Sequence, residues 1–318
     1  MNGPAAILVV NLLLVAMYAP PGSQRPSETE IHIAGPAGRL GGTLTLPAGA
    51  SRVPIVITIT GSGAHYRDGN RDPNDRYRPF RQIAERLSRC GIATLLLDDR
   101  GVGASDGDAA SATLEDTAAD VRAAIDDVRH RPVVDGSRVA LIGHSYGGVV
   151  APLVAAADPT IAAVVLLGGP ATSFRETMRY QHRYRIAHDD SIPIDRKDAA
   201  LEAAMRQQDL NVTRSTEAWR RSVQDRDPLL TARKLRMPVL ILHGLTDRAV
   251  DPANAMSLEA AIREGGNQGV KRHLFPGLNH HFLRDPVDAP EGYAALPSQD
   301  LAPELLTEMC GWLSTHLR

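Results

Sequence analysis

The run VALIGHSYGGVVAPLV, residues 139–154, decides how the rest of this 318-residue chain reads. It opens on four apolar residues and ends on an apolar stretch, with Gly143-His144-Ser145-Tyr146-Gly147 between them. Strand, tight turn and helix in that order present one side chain at the carboxyl end of a sheet. Glycines suit the flanks because so sharp a turn leaves no room for a Cβ. A helix that starts directly after Ser145 aims backbone N–H groups at it, where they stabilise developing negative charge. Ser145 is therefore a candidate nucleophile, and the amide of Tyr146 a candidate oxyanion donor.

Outward from that turn, apolar strands alternate with amphipathic helices. On the N-terminal side, residues 30–33, 40–46, 54–60 and 92–97 read as strands, with helices at 80–90 and 113–129. Residues 138–143 form the strand before the turn and 146–157 the helix after it. Beyond lie strands at 161–167, 238–243 and 271–275, and helices at 252–264 and 303–317. Such alternation implies a mostly parallel sheet covered on both faces. Residues 171–236 break the rhythm with helical patterns and no strand, and are expected as a helical lid insertion. This stretch carries 14 Lys+Arg against 10 Asp+Glu, a basic excess that suits an anionic substrate or simply a solvated surface. Its Tyr180, Tyr184 and Trp219 are available to line an acyl pocket, although packing is the commoner use of such aromatics.

A serine hydroxyl needs a base, and the base needs an orienting carboxylate. His243-Gly244-Leu245-Thr246-Asp247 leaves the strand at 238–243 and delivers a carboxylate. Pro276-Gly277-Leu278-Asn279-His280-His281-Phe282 leaves the strand at 271–275 and delivers a histidine. Both loops lie at strand carboxyl ends, in the chain order Ser, acid, His. The expected triad is Ser145, Asp247 and His280. Asp251 is a second carboxylate, but Asp251-Pro252 reads as a helix cap. His281 stands next to His280, and sequence leaves open which ring faces the serine; His144 and His243 read as structural. Gly61-Ser62-Gly63 ends the strand at 54–60 and offers Ser62 or Gly63 as the second oxyanion donor.

Taken together, these loops with Arg67-Asp68 and the run DRGVGAS at 99–105 resemble the α/β-hydrolase superfamily from Thr29 to the C terminus. Within it the chain is similar to bacterial acyl-ester hydrolases related to the S9-peptidase and dienelactone-hydrolase branches. The resemblance implies an α/β-hydrolase fold: a mostly parallel eight-stranded sheet, helices on both faces and a helical lid at about 171–236. It also implies carboxylic ester hydrolysis through an acyl-enzyme, with no cofactor and no metal, Ser145 as nucleophile, Asp247 as acid and His280 as base. His281 departs from the pattern, since similar sequences tend to carry an apolar residue there. Arg67, Asp68, Asp99 and Arg100 read as an Arg–carboxylate network bracing the oxyanion loop. The same triad serves peptidases, amidases, thioesterases and cofactor-free haloperoxidases; an intact site argues against a non-catalytic binding module.

Composition narrows the remainder. With 35 Lys+Arg against 37 Asp+Glu, the net charge of -2 excludes a dedicated nucleic-acid binder, and 43% hydrophobic residues exclude wholesale disorder. The expected partner is a small acyl ester. Residues 4–20 form an apolar run shorter than the roughly 20 residues of a membrane span, so no stable span is expected. The run reads as the core of a secretory signal, with small Ala16 and Ala19 near a cleavage point, though no Lys or Arg precedes it and Pro20 follows Ala19. The organisation expected is a signal peptide at 1–22 and a hydrolase domain at 23–318, exported to periplasm or medium, with a cytoplasmic location as the alternative. Cys90 and Cys310 cannot build a disulfide framework or a thiolate zinc cage. They fall in helices that can share one face of the sheet. A disulfide in an exported protein and two buried free thiols, the commoner outcome, both stay open.

Overall fold

Uninterrupted apolar runs place the centre of the molecule. β3 (Val53–Ile59), β4 (Ala93–Leu97), β6 (Ala163–Leu167) and β7 (Val239–Gly244) are buried along almost their whole length. Strands of that kind need cover on both faces, which is the condition of a parallel sheet under crossover helices. The computed structural model describes residues 26–285, 293 and 296–318; the segment read as an export signal, 1–22, lies outside them.

Eight strands form one sheet in the order β1-β2-β4-β3-β5-β6-β7-β8. β1 (Ser27–Gly35) and β2 (Gly38–Leu46) make an antiparallel hairpin, and β2 runs antiparallel to β4. From β4 through β3, β5 (Val134–His144), β6, β7 and β8 (Val270–Phe275) every pairing is parallel. This is the α/β-hydrolase fold. Alternate residues go to opposite faces, so Ile55, Ile57 and Leu141 join one core while Val56, Ala140 and Ile142 join the other. The first core is closed by α2 (Leu114–Arg129), α3 (Gly147–Ala157) and α8 (Ala253–Glu264). The second is closed by α1 (Pro79–Arg89) and α9 (Pro303–His316).

The elements fall where the sequence places them, with two notable extensions: β1 runs Ser27–Gly35 rather than 30–33, and β5 is longer at its start. β5 begins at Val134 rather than 138, because Val134 pairs with Val53 across a register shift. Between β6 and β7 the chain makes α4 (Phe174–Ala187), a 3₁₀ turn (Ile194–Arg196), α5 (Lys197–Arg214), α6 (Ala218–Val223) and α7 (Leu229–Ala232), with no strand among them. α4 buries none of its residues, whereas α6 sinks Trp219 and Val223 and α7 sinks Ala232 into the first core. The insertion thus stands over the carboxyl edge of the sheet on α4 and α5, and α6 and α7 root it. Cys90, just after α1, and Cys310 on α9 are joined by a disulfide with a Cα–Cα distance of 6.3 Å. Of the two outcomes left open for the cysteines, the covalent one is present.

Candidate active site

Ser145 sits at the corner between β5 and α3 with φ of 54°, in the left-handed region that a side chain rarely adopts. Two backbone hydrogen bonds hold it there: its N–H donates to Leu167 O at 2.9 Å and its C=O accepts from Gly148 N at 2.8 Å. A Cβ on Gly143 would collide with the Gly147 carbonyl, and one on Gly147 with the Ile59 carbonyl. Both glycines of the turn are therefore required by backbone crowding.

The candidate acid and the candidate base meet beside it. Asp247 follows β7 and is buried; its Oδ1 accepts from the amides of Ala249 and Val250, each at 2.8 Å. Its Oδ2 lies 2.7 Å from His280 Nδ1 and 3.0 Å from Nε2 of the fully buried His243. Burial pushes the Asp247 carboxyl up, but the two imidazoles outweigh it and hold the group well below the usual carboxylate range. A carboxylate on Nδ1 leaves Nε2 of His280 as the atom that can take a proton. Asp251, one residue ahead of Pro252, which is the N-cap of α8, instead accepts from Ala253 N at 2.9 Å.

The neighbouring histidines serve as walls. His281 stacks on Tyr77 with ring centroids 4.6 Å apart, and its carbonyl accepts from the Tyr77 hydroxyl at 3.1 Å. Burial, then the adjacent His280, push its pKa well down. His144 places Nε2 3.0 Å from the His280 carbonyl, and burial with His280 lowers it to about 3. That neutral ring donates to the backbone carbonyl of His280 and fixes where that peptide sits. Sequence reasoning missed Gly168, which ends β6 with φ of 56°; a Cβ there would stand 3.2 Å from His280 Nδ1 and 3.5 Å from Asp247 Oδ2. No motif marks it.

Across the cavity, the amides of Tyr146, Ser62 and Gly63 donate to no acceptor among the described residues. Ser62 shares the Ser145 cavity, whereas Gly63 lines an adjoining one and turns with φ of 92°. Of the two candidate second donors, Ser62 is the one that lines the same cavity as the serine. The bracing of this loop differs from the expected wiring. Arg67 forms a bidentate pair with Asp98, at 3.1 and 2.7 Å, rather than with Asp99. Asp99 instead accepts from Thr60 Oγ1 at 2.8 Å and His65 N at 2.9 Å. Arg100 reaches away to Asp120 on α2, at 2.9 and 2.8 Å, and Asp68 faces Arg78 at 3.5 Å. The expectation of one Arg–carboxylate network is corrected to separate clusters, Arg67 with Asp98 and Glu30, Arg100 with Asp116 and Asp120, and Asp68 with Arg78 and Arg81, because consecutive residues at the end of β4 point to opposite sides.

Ser145, Tyr146, Ser62, His280 and His281 line one cavity of about 420 Å³, roofed by Phe174 and Trp219 of the insertion. Trp219 meets Tyr146 edge-on at 5.3 Å and Phe174 at the same distance. Tyr180 does not line it but donates its hydroxyl to the Asp247 carbonyl at 2.8 Å, while Gln181, which does line it, donates its amide Nε2 to Ala249 O at 2.9 Å. Tyr184 is also off the wall and stacks on His188. The insertion therefore buttresses the acid loop as well as covering the cavity.

The sequence profile of the serine aminopeptidase S33 family of hydrolases matches residues 74–287. The chain belongs to that family. It is 28% identical over 249 residues to the esterase EstD of Thermotoga maritima, covering 77% of this chain and 58% of that one. The chain thus spans just over half the length of that relative. Its fold is similar to an esterase of Pyrococcus furiosus (TM-score 0.60, 16% identity, 92% of this chain and 94% of that one). It is likewise similar to the esterase domain of a Rhodothermus marinus protein (TM-score 0.56, 20% identity, 92% and 100%). A third likeness is to dipeptidyl peptidase 4 of Porphyromonas gingivalis (TM-score 0.60, 18% identity), of which 36% is covered by 92% of this chain.

Proposed function

We propose that this protein is a serine carboxylesterase working through an acyl-enzyme on Ser145, Asp247 and His280. The observation that carries the reading is the Asp247–His280 contact of 2.7 Å on the wall of the cavity into which the Ser145 turn opens. His280 Nε2 takes the Ser145 proton as Oγ attacks the ester carbonyl carbon. The carbonyl oxygen gains negative charge between the amides of Tyr146 and Ser62. Collapse of the tetrahedral adduct expels the alcohol, which leaves with the proton from His280. Water, deprotonated by the same imidazole, then attacks the acyl-enzyme and releases the acid and the free serine. Asp247 fixes the tautomer and stabilises the imidazolium in both halves. The insertion acts as a lid that keeps bulk water out.

Ester rather than amide cleavage is supported by the name of the Thermotoga relative; the name of the family supports the alternative, an aminopeptidase or amidase on the same residues. Ser145→Ala should remain folded and lose hydrolysis of short p-nitrophenyl esters by roughly 10³-fold or more. Retained activity in that variant defeats the assignment, and faster turnover of aminoacyl p-nitroanilides than of esters by the wild type favours the second reading. Export is part of the proposal. The apolar run at 4–20 has the composition of a signal core, and a Cys90–Cys310 disulfide belongs to an oxidising compartment.

A further inference from the structure

Arg71 stands on the wall of the same cavity, beside the oxyanion loop. Its Nη2 donates to Ser62 O at 2.6 Å, and its Nε to His65 Nε2 at 3.3 Å. His65 is suited to accept there because its Nδ1 lies 3.2 Å from Gly63 O, a donor position that leaves Nε2 with its lone pair. The guanidinium is thereby held over Ser62 before any ligand arrives, and its Nη1 donates to no acceptor among the described residues. None of these contacts neutralises its charge.

The neighbouring charges do not remove it either: Glu217, a carboxylate that feels the Arg71 charge, is itself paired with Arg220 at 2.5 Å. Arg226, the second arginine lining the cavity, pairs with Glu115 at 2.7 Å. Asp75, the carboxylate on the wall, accepts from Tyr77 N at 3.1 Å and forms no ion pair with Arg71. A fixed guanidinium with a spare edge matches the geometry of a carboxylate better than that of any neutral group. We propose that Arg71 binds a carboxylate carried by the substrate, so that the preferred esters are mono-anionic. This rests on the esterase reading above and names the substrate class for it. The carboxylate can sit on the acyl chain or on the alcohol, and both place an anion within reach of the serine.

Two probe pairs separate these. p-Nitrophenyl hydrogen glutarate against p-nitrophenyl valerate tests the acyl side; 4-acetoxybenzoate against 4-acetoxybenzamide tests the alcohol side. In at least one pair the anionic ester should show a KM about tenfold lower. Added salt should shrink that difference by screening the pair. Arg71→Gln should abolish the preference and Arg71→Lys retain part of it, read as the ratio of kcat/KM within a pair so that any effect through Ser62 cancels. No preference in either pair overturns the proposal while leaving the esterase intact. So does a preference that survives in Arg71→Gln, or an equal fall for both members. No turnover of any of the four esters overturns the esterase reading and this inference together.

Discussion

At Asp247 two forces oppose each other: burial disfavours its charge, while two imidazoles and two backbone amides favour it. The second group wins, so the folded carboxyl titrates below its unfolded value of about 3.9. Its contribution to stability is therefore complete above pH ~4 and is lost as pH falls towards the lower, folded value. His144, lowered to about 3, acts in the same sense: the unfolded ring binds its proton near pH ~6.5, so stability drains from there downward. Asp247→Asn should leave the backbone amides partly satisfied but give His280 the wrong partner, lowering kcat by about 10³- to 10⁴-fold. It should also flatten the acid limb of a stability-versus-pH series measured by urea melts. A kcat within tenfold of the wild type would show that His280 is oriented by something else. That Asp247 meets His280 while Asp251 faces the start of α8 was legible in the sequence, because a carboxylate before Pro252 lies beside a helix start. The choice between His280 and His281 was not. It depends on Tyr77, distant in the chain, offering His281 a ring to stack on.

Among the elements, the β5–α3 corner was the most legible, since backbone crowding at Gly143 and Gly147 constrains composition directly. The helical insertion was legible as a break in the strand rhythm, but its hydrogen bonds from α4 to the acid loop were not, because Tyr180 and Gln181 carry no motif. The wiring of the oxyanion loop was misassigned for a related reason. Asp98 and Asp99 are adjacent in sequence yet face opposite ways, and only the fold tells which meets Arg67. Gly168 was invisible altogether: it ends an apolar strand and reads as a plain turn. Its positive φ and its closeness to His280 make a testable case. Gly168→Ala should cost about 1–2 kcal/mol from the left-handed backbone alone. The added methyl should also displace the imidazole and lower kcat by roughly tenfold or more. Thermal melts with kcat measured on the same sample check it, and an unchanged kcat would remove Gly168 from the site.

For the molecule as a whole, the disulfide ties the first helix of the parallel core to the last, closing a loop across a separation of 220 residues. Loop-closure entropy for that span corresponds to ~5 kcal/mol. Reduction, or Cys90→Ser, should lower Tm by on the order of 10 °C, while an unchanged Tm after both thiols titrate would show that α1 and α9 hold without the bond. Sequence left this bond open because pairing needs proximity, and proximity follows only once α1 and α9 lie on the same face of the sheet. The proposed function rests on the serine at the β5–α3 corner being nucleophilic. A fluorophosphonate probe, which reacts with an activated serine, tests that most directly when the labelled protein is digested and the adduct mapped by mass spectrometry. The account predicts stoichiometric labelling on the peptide containing Ser145 and none in Ser145→Ala. Absence of labelling, or an adduct on any other residue, would contradict it.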